Sequence, residues 1–162
     1  MGTTGQIEVL NDLIKLNEEN IHLYQREITG SYPNINRLLA DLIKLKTTHV
    51  FQLQEEVRKA GGRSCGILTG IIYSKWKLLN LQPMGTEMFE LLRFVESIEK
   101  ALIEANKSAS GNTALNAAQR FTLRSQYNEL LNILKKVQQL RTDVPHVQPH
   151  NALTGSLKAA VL

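Results

Sequence analysis

Four stretches of this chain repeat apolar residues at alternating steps of three and four, the period of a helix that buries one face. In the first, Ile7, Leu10, Ile14, Asn17, Ile21, Tyr24 and Ile28 follow the rule, Leu13 lies on the same side, and Thr29-Gly30 closes the segment. Gly30 to Asn34 then reads as a turn leading into a helix start, because glycine allows the reversal and Pro33 suits a first helical turn. A connection that short predicts antiparallel neighbours. The second stretch carries Ile35, Leu38, Leu39, Leu42, Val50, Leu53, Val57 and Ala60, and the tandem Gly61-Gly62 ends it.

The third stretch begins beyond Pro83 and Gly85 with Thr86 as a candidate cap, and its stripe is Met88, Leu91, Val95, Ile98, Leu102 and Ala105. Asn106 to Asn112 reads as a polar loop, and the fourth stretch runs from about Thr113 to Arg141 on Leu123, Tyr127, Leu130, Leu131, Leu134 and Val137. Leu115, Phe121 and Ile133 fall off that last stripe, as interface residues do. Between the two pairs, Gly61 to Leu81 must carry the chain from one hairpin to the other. Helical spacing of Leu68, Ile71, Ile72, Trp76 and Leu79 predicts a short capping helix there, with Gly66 and Gly70 one turn apart and Trp76 as an anchor at the core edge. The expected fold is all-α: two antiparallel helical hairpins, joined by a crossover containing a short helix, in a four-helix bundle over residues 1–141. Beyond the fourth stretch, Pro145 and Pro149 interrupt helical continuity, so residues 142–162 read as a tail, extended or docked.

Two residues interrupt the second apolar stripe. Helical spacing puts Lys46 and His49 in its middle, and a buried lysine is costly unless a carboxylate partners it. In the motif Glu96-x-x-Glu99, Glu99 lies near the apolar face and Glu96 turns more toward solvent. The expected arrangement is an interior polar cluster of Asn17, Lys46, His49 and Glu99, in which the Lys46 ammonium pairs with Glu99 and Asn17 is a neutral hydrogen-bonding neighbour.

Composition narrows the partners. A chain of 162 residues that is 43% hydrophobic fills one core, and its net charge of +4 is spread among acidic residues rather than gathered on a face, which argues against nucleic acid. No apolar run approaches the roughly 18 residues of a membrane span, and Glu8, Asp12, Glu18 and Glu19 make the start unlike a signal peptide. Gln6 stands where an N-myristoylation signal wants serine or threonine. The expected location is the cytoplasm, with no membrane partner. Cys65, alone, has no internal disulfide partner, and no phosphate loop, hydrolase elbow or zinc-protease motif is present.

Over roughly residues 6–141 the chain resembles a bacterial ferritin-like family known only as a domain of unknown function. The residues that carry the resemblance are Val9-Leu10-Asn11-Asp12-Leu13-Ile14 followed by Tyr24, the helix end from Leu53-Gln54-Glu55 to Gly61-Gly62, the connector Gly66, Gly70 and Trp76, the pair Glu96 and Glu99, and Gln126-Tyr127 with Leu140-Arg141. Departures matter more for function. Tyr73 and Ser74 replace a His-Arg pair of the family pattern, and Leu134 stands at an often-histidine position. A dimetal centre in that superfamily draws a glutamate from each of two helices and a Glu-x-x-His pair from each of the other two. Here the corresponding pairs are Lys46-x-x-His49 and Leu131-x-x-Leu134. The resemblance therefore implies a bundle with a degenerate metal site, no cofactor and no catalysis, acting as a homo-oligomer, most simply a dimer, or on a protein partner. The alternative is an iron or manganese carboxylate oxidoreductase or metal store with His49, Glu99, Glu96 and Glu19 as donors. Another reading places a small apolar ligand near Tyr24, Trp76 and Tyr127, residues whose spacing fits packing equally well.

Overall fold

A computed structural model describes residues 2–28, 32–64 and 88–144. They form helices α1 (Gly2–Glu27), α2 (Pro33–Lys59), α3 (Met88–Ser110) and α4 (Ala117–Asp143). Among the described residues there is no strand. The predicted capping helix with Gly66, Gly70 and Trp76 lies outside the described residues, as does the tail from residue 145 onward.

Cross-helix hydrogen bonds fix the directions. Asn11 Nδ2 donates to the Arg63 carbonyl at 3.1 Å, joining the start of α1 to the segment just past α2, so these two are antiparallel. Gln119 Nε2 donates to Gln6 Oε1 at 3.3 Å, so α1 and α4 begin at the same end of the bundle. Gln126 Nε2 donates to Gln52 Oε1 at 2.9 Å, in the antiparallel register of α2 and α4. Hence α2 and α3 run parallel, the arrangement that one long crossover produces and the one that defines a ferritin-like bundle.

The ends of the helices are set by local chemistry. At the end of α2, Gly61 adopts φ +82°, its N–H donates to the Arg58 carbonyl, and the Gly62 N–H donates to the Val57 carbonyl. This is a Schellman ending that a β-carbon at residue 61 would strain. At the other glycine a β-carbon would stand 2.6 Å from the Ile7 side chain, so Gly62 also lets α1 approach. The fourth helix starts on a capping box: Asn116 accepts from the Gln119 N–H at 2.9 Å, and the Gln119 side chain accepts from the Asn116 N–H at 2.9 Å.

The core is built from the expected stripes with corrections. Leu10, Ile14, Leu39, Leu42, Leu53, Leu92, Val95, Ile98 and Leu123 are fully buried. The first stripe is rotated, because Leu16, Asn20 and Leu23 are buried whereas Ile28 lies past the helix end and is exposed. The expected loop at Asn106 is instead the last turn of α3, which continues to Ser110 because Asn106 itself is buried in the bundle. Leu115 and Ile133 also pack inside, so of the three residues expected off the fourth stripe only Phe121 stays exposed.

Candidate functional site

Lys46 and Glu99 meet in the middle of the bundle, and neither side chain is exposed at all. The Lys46 ammonium lies 2.8 Å from Glu99 Oε1 and 2.9 Å from Oε2, so it bridges both carboxylate oxygens. A third residue completes the group: the Tyr24 hydroxyl donates to Glu99 Oε1 at 2.6 Å. Short, charge-assisted bonds of this kind are the strong ones. The ammonium also stands 5.8 Å from the centre of the Tyr24 ring. One carboxylate on α3 thereby ties α1 and α2 to it.

The protonation states are set by burial. Desolvation lowers Lys46, against which the Glu99 charge and hydrogen bond pull upward. Desolvation, the Glu99 charge and the hydrogen bond to it all push Tyr24 well above 10.0, so the phenol remains a donor. His49, one turn beyond Lys46 on α2, is lowered to about 4 by burial and then by the Lys46 charge, which makes its ring neutral at neutral pH. Its Nε2 lies 3.6 Å from Glu129 Oε1 on α4, beyond hydrogen-bond reach. Gln126 Nε2 donates to the His49 carbonyl at 3.2 Å as well as to Gln52.

Several sequence-based placements change. Asn17 is buried, but its amide donates to the Leu13 carbonyl at 2.8 Å within its own helix and makes no hydrogen bond to Lys46. Tyr24 supplies the α1 donor instead. Glu96 does not turn to solvent: burial alone would raise its pKa, but Lys100, Gln138 and Arg141 hold it below the ordinary value. It lies 2.9 Å from Lys100 and 2.7 Å from Arg141 at the α3–α4 seam, one turn from the central cluster. Glu19 is half-exposed and paired with Lys15 at 3.2 Å. On the fourth helix, half-exposed Glu129 places its Oε1 3.6 Å from His49 Nε2 without entering the centre. The roles of Tyr24 and Gln126 were within reach of the sequence, since both are polar-tipped residues on or beside an apolar stripe. Glu129 gave no such signal, because it is half-exposed and reaches His49 only by the length of its side chain.

Among the described residues no group of three or more His, Cys, Asp or Glu side chains is placed to hold a metal ion. The oxygens of Glu99, the one interior carboxylate of the cluster, are taken up by an ammonium and a phenol.

Fold and site together define an all-α, ferritin-like four-helix bundle with a buried Lys-Glu-Tyr cluster at its waist. A solved structure with the same fold is a ferritin-like, diiron-carboxylate protein from Bacillus anthracis strain Ames, with a TM-score of 0.68 and 17% sequence identity over 87% of this chain and 98% of that one. No protein-family model and no curated protein matches the chain. The comparison corrects one expectation. A chain without a cofactor was expected, yet a protein of this fold is described as diiron-carboxylate, so iron has to be carried forward as a cofactor to test. Among the described residues, no helix is long and apolar enough to cross a membrane.

Proposed function

We propose that this bundle is non-catalytic and acts by association, most simply as a homodimer, through the seam between α2 and α4. The observation that supports this is a pair of exposed aromatic side chains: Phe51 on α2 is 67% exposed and Phe121 on α4 is 74% exposed. They flank a groove of about 430 Å³ whose floor includes Gln52, Glu56 and Thr122. Large apolar side chains held in water on facing helices are an unspent hydrophobic contribution, about 25 cal/mol for each Å² covered. The lining carries both signs of charge, with Glu55, Glu56 and Lys59 on α2, which suits a self-complementary contact. Sedimentation velocity across a hundredfold concentration range tests the reading. A dimer that Phe51→Glu with Phe121→Glu converts to a folded monomer is the expected result, and a wild-type chain that stays monomeric throughout refutes it.

The second reading is iron, which the diiron-carboxylate neighbour favours. Among the described residues, His49 and Glu99 are interior donors, with Glu129 beside His49. Elemental analysis of protein made in iron-supplemented medium and purified without chelators decides it. Stoichiometric iron would displace the association reading as the primary function.

A further inference from the structure

The middle of the bundle contains more polar atoms than its own side chains satisfy. Asn17, Asn20, His49 and Asn106 are each more than nine-tenths buried, and Asn17 Oδ1, both amide atoms of Asn20, His49 Nε2 and Asn106 Oδ1 have no hydrogen-bond partner. Register places them together. From Tyr24, Asn20 lies about 6 Å and Asn17 about 10 Å along α1 toward its N-terminus, at 1.5 Å per residue. From Glu99, Asn106 lies about 10 Å along α3 toward its C-terminus, and from Lys46, His49 lies about 4.5 Å along α2 toward its C-terminus. Because α1 is antiparallel to both α2 and α3, all of these displacements point to the same end of the bundle. These side chains therefore share about 10 Å of the bundle's length, to one side of the Lys46-Glu99-Tyr24 cluster.

The chemistry of the unpartnered atoms selects the occupant. Three of the five are amide oxygens, which accept, and one is the Asn20 amide nitrogen, which donates; Nε2 of a neutral His49 takes either role according to its tautomer. Such a set wants a small species rich in hydrogen-bond donors. None of the unpartnered acceptors carries a formal charge, and the Lys46 ammonium one turn away opposes a second cation. Leaving five buried atoms unsatisfied would cost an amount comparable with the whole net stability of a domain.

We propose that these four side chains line a compartment for ordered water, which joins Asn17, Asn20, His49 and Asn106 to one another and reaches the surface along the α2–α4 seam. The exit is polar: Gln126 spans His49 and Gln52, and Gln52 lines the surface groove. The buried carboxylate-ammonium pair is thereby placed within reach of solvent protons although no part of it touches bulk water.

Oxygen-17 relaxation dispersion of water on the full chain counts molecules held for longer than the tumbling time. About two or three are expected, given roughly three hydrogen bonds per buried water. Asn17→Leu with Asn106→Leu should remove most of that dispersion, and Asn20→Leu alone serves if the double variant does not fold. No dispersion in the wild type, or the same dispersion in the folded variant, overturns the proposal. So does a one-to-one complex with zinc that abolishes the dispersion, because the compartment would then be a cation site.

Discussion

Replacing Lys46 by methionine tests the central cluster most directly, because the stem is nearly preserved and only the ammonium is lost. Glu99 would keep the Tyr24 hydroxyl as a donor but lose the charge that bridges both its oxygens. A buried carboxylate in that position escapes by taking up a proton. From an ordinary glutamate pKa of about 4.3, doing so at pH 7 costs about 4 kcal/mol, which sets the ceiling on the damage. That ceiling falls inside the roughly 3–5 kcal/mol seen when one partner of a buried pair is removed. The same proton uptake fixes the sign of the pH dependence. In the variant the folded state holds the Glu99 proton more tightly than the unfolded chain, so the deficit is largest at pH 7 and shrinks by about 1.4 kcal/mol per unit as the pH falls toward 4.3. Urea unfolding followed by circular dichroism at pH 7 and pH 5 reads both quantities. An unchanged midpoint at pH 7, or a deficit of equal size at pH 5, would refute the account.

Three further predictions concern Tyr24, His49 and Asp12. Tyr24→Phe removes a 2.6 Å bond to a carboxylate while keeping the ring, and should cost about 1.5–3 kcal/mol by the same urea assay. The folded pKa of His49, about 4, is below its ordinary 6.5, so its contribution is complete above pH 6.5 and is lost as the pH falls toward 4. Asp12 opposes it: burial and then Glu8 raise it from 3.8 to about 6, so its contribution is present below 3.8 and lost as the pH rises through 6. Asp12 is partly solvated and its effect is damped, whereas His49 is buried, so the wild type should lose stability on acidification from pH 6.5 to 4. His49→Gln should remove most of that loss, and Asp12→Asn should raise stability at pH 7, both measured as shifts in the urea midpoint.

The helices were legible because their apolar period needs nothing beyond the chain itself, and the Lys46-Glu99 pair because a lysine within an apolar stripe demands a carboxylate. What stayed hidden depended on rotation and reach. A shift of the α1 face by a fraction of a turn moves Asn20 from the boundary to the interior, and three-four spacing does not resolve such a shift. Asn106 looked like loop because polar composition is a local signal, while the packing that keeps it helical comes from the other helices. Glu96 looked solvated because its partners on α4, Gln138 and Arg141, are more than forty residues away in sequence.

A stripe of leucines does not by itself fix where one helix stops against another, since sliding by a turn replaces each leucine with the next. The polar waist breaks that degeneracy. Slipping α1, α2 or α3 by one turn, about 5.4 Å, separates Tyr24, Lys46 and Glu99 and leaves at least one polar group buried without its partner. The pair then sets register rather than raw stability, and the two roles come apart in Lys46→Met combined with Glu99→Gln. With both charges gone, the variant should match or exceed the wild type in urea, by up to about 4 kcal/mol. Its amide spectrum should nevertheless broaden or double for residues near the waist, because alternative registers no longer strand a charge. A double variant as stable as the wild type, with one sharp set of resonances, would mean that the apolar core and turns alone determine the alignment.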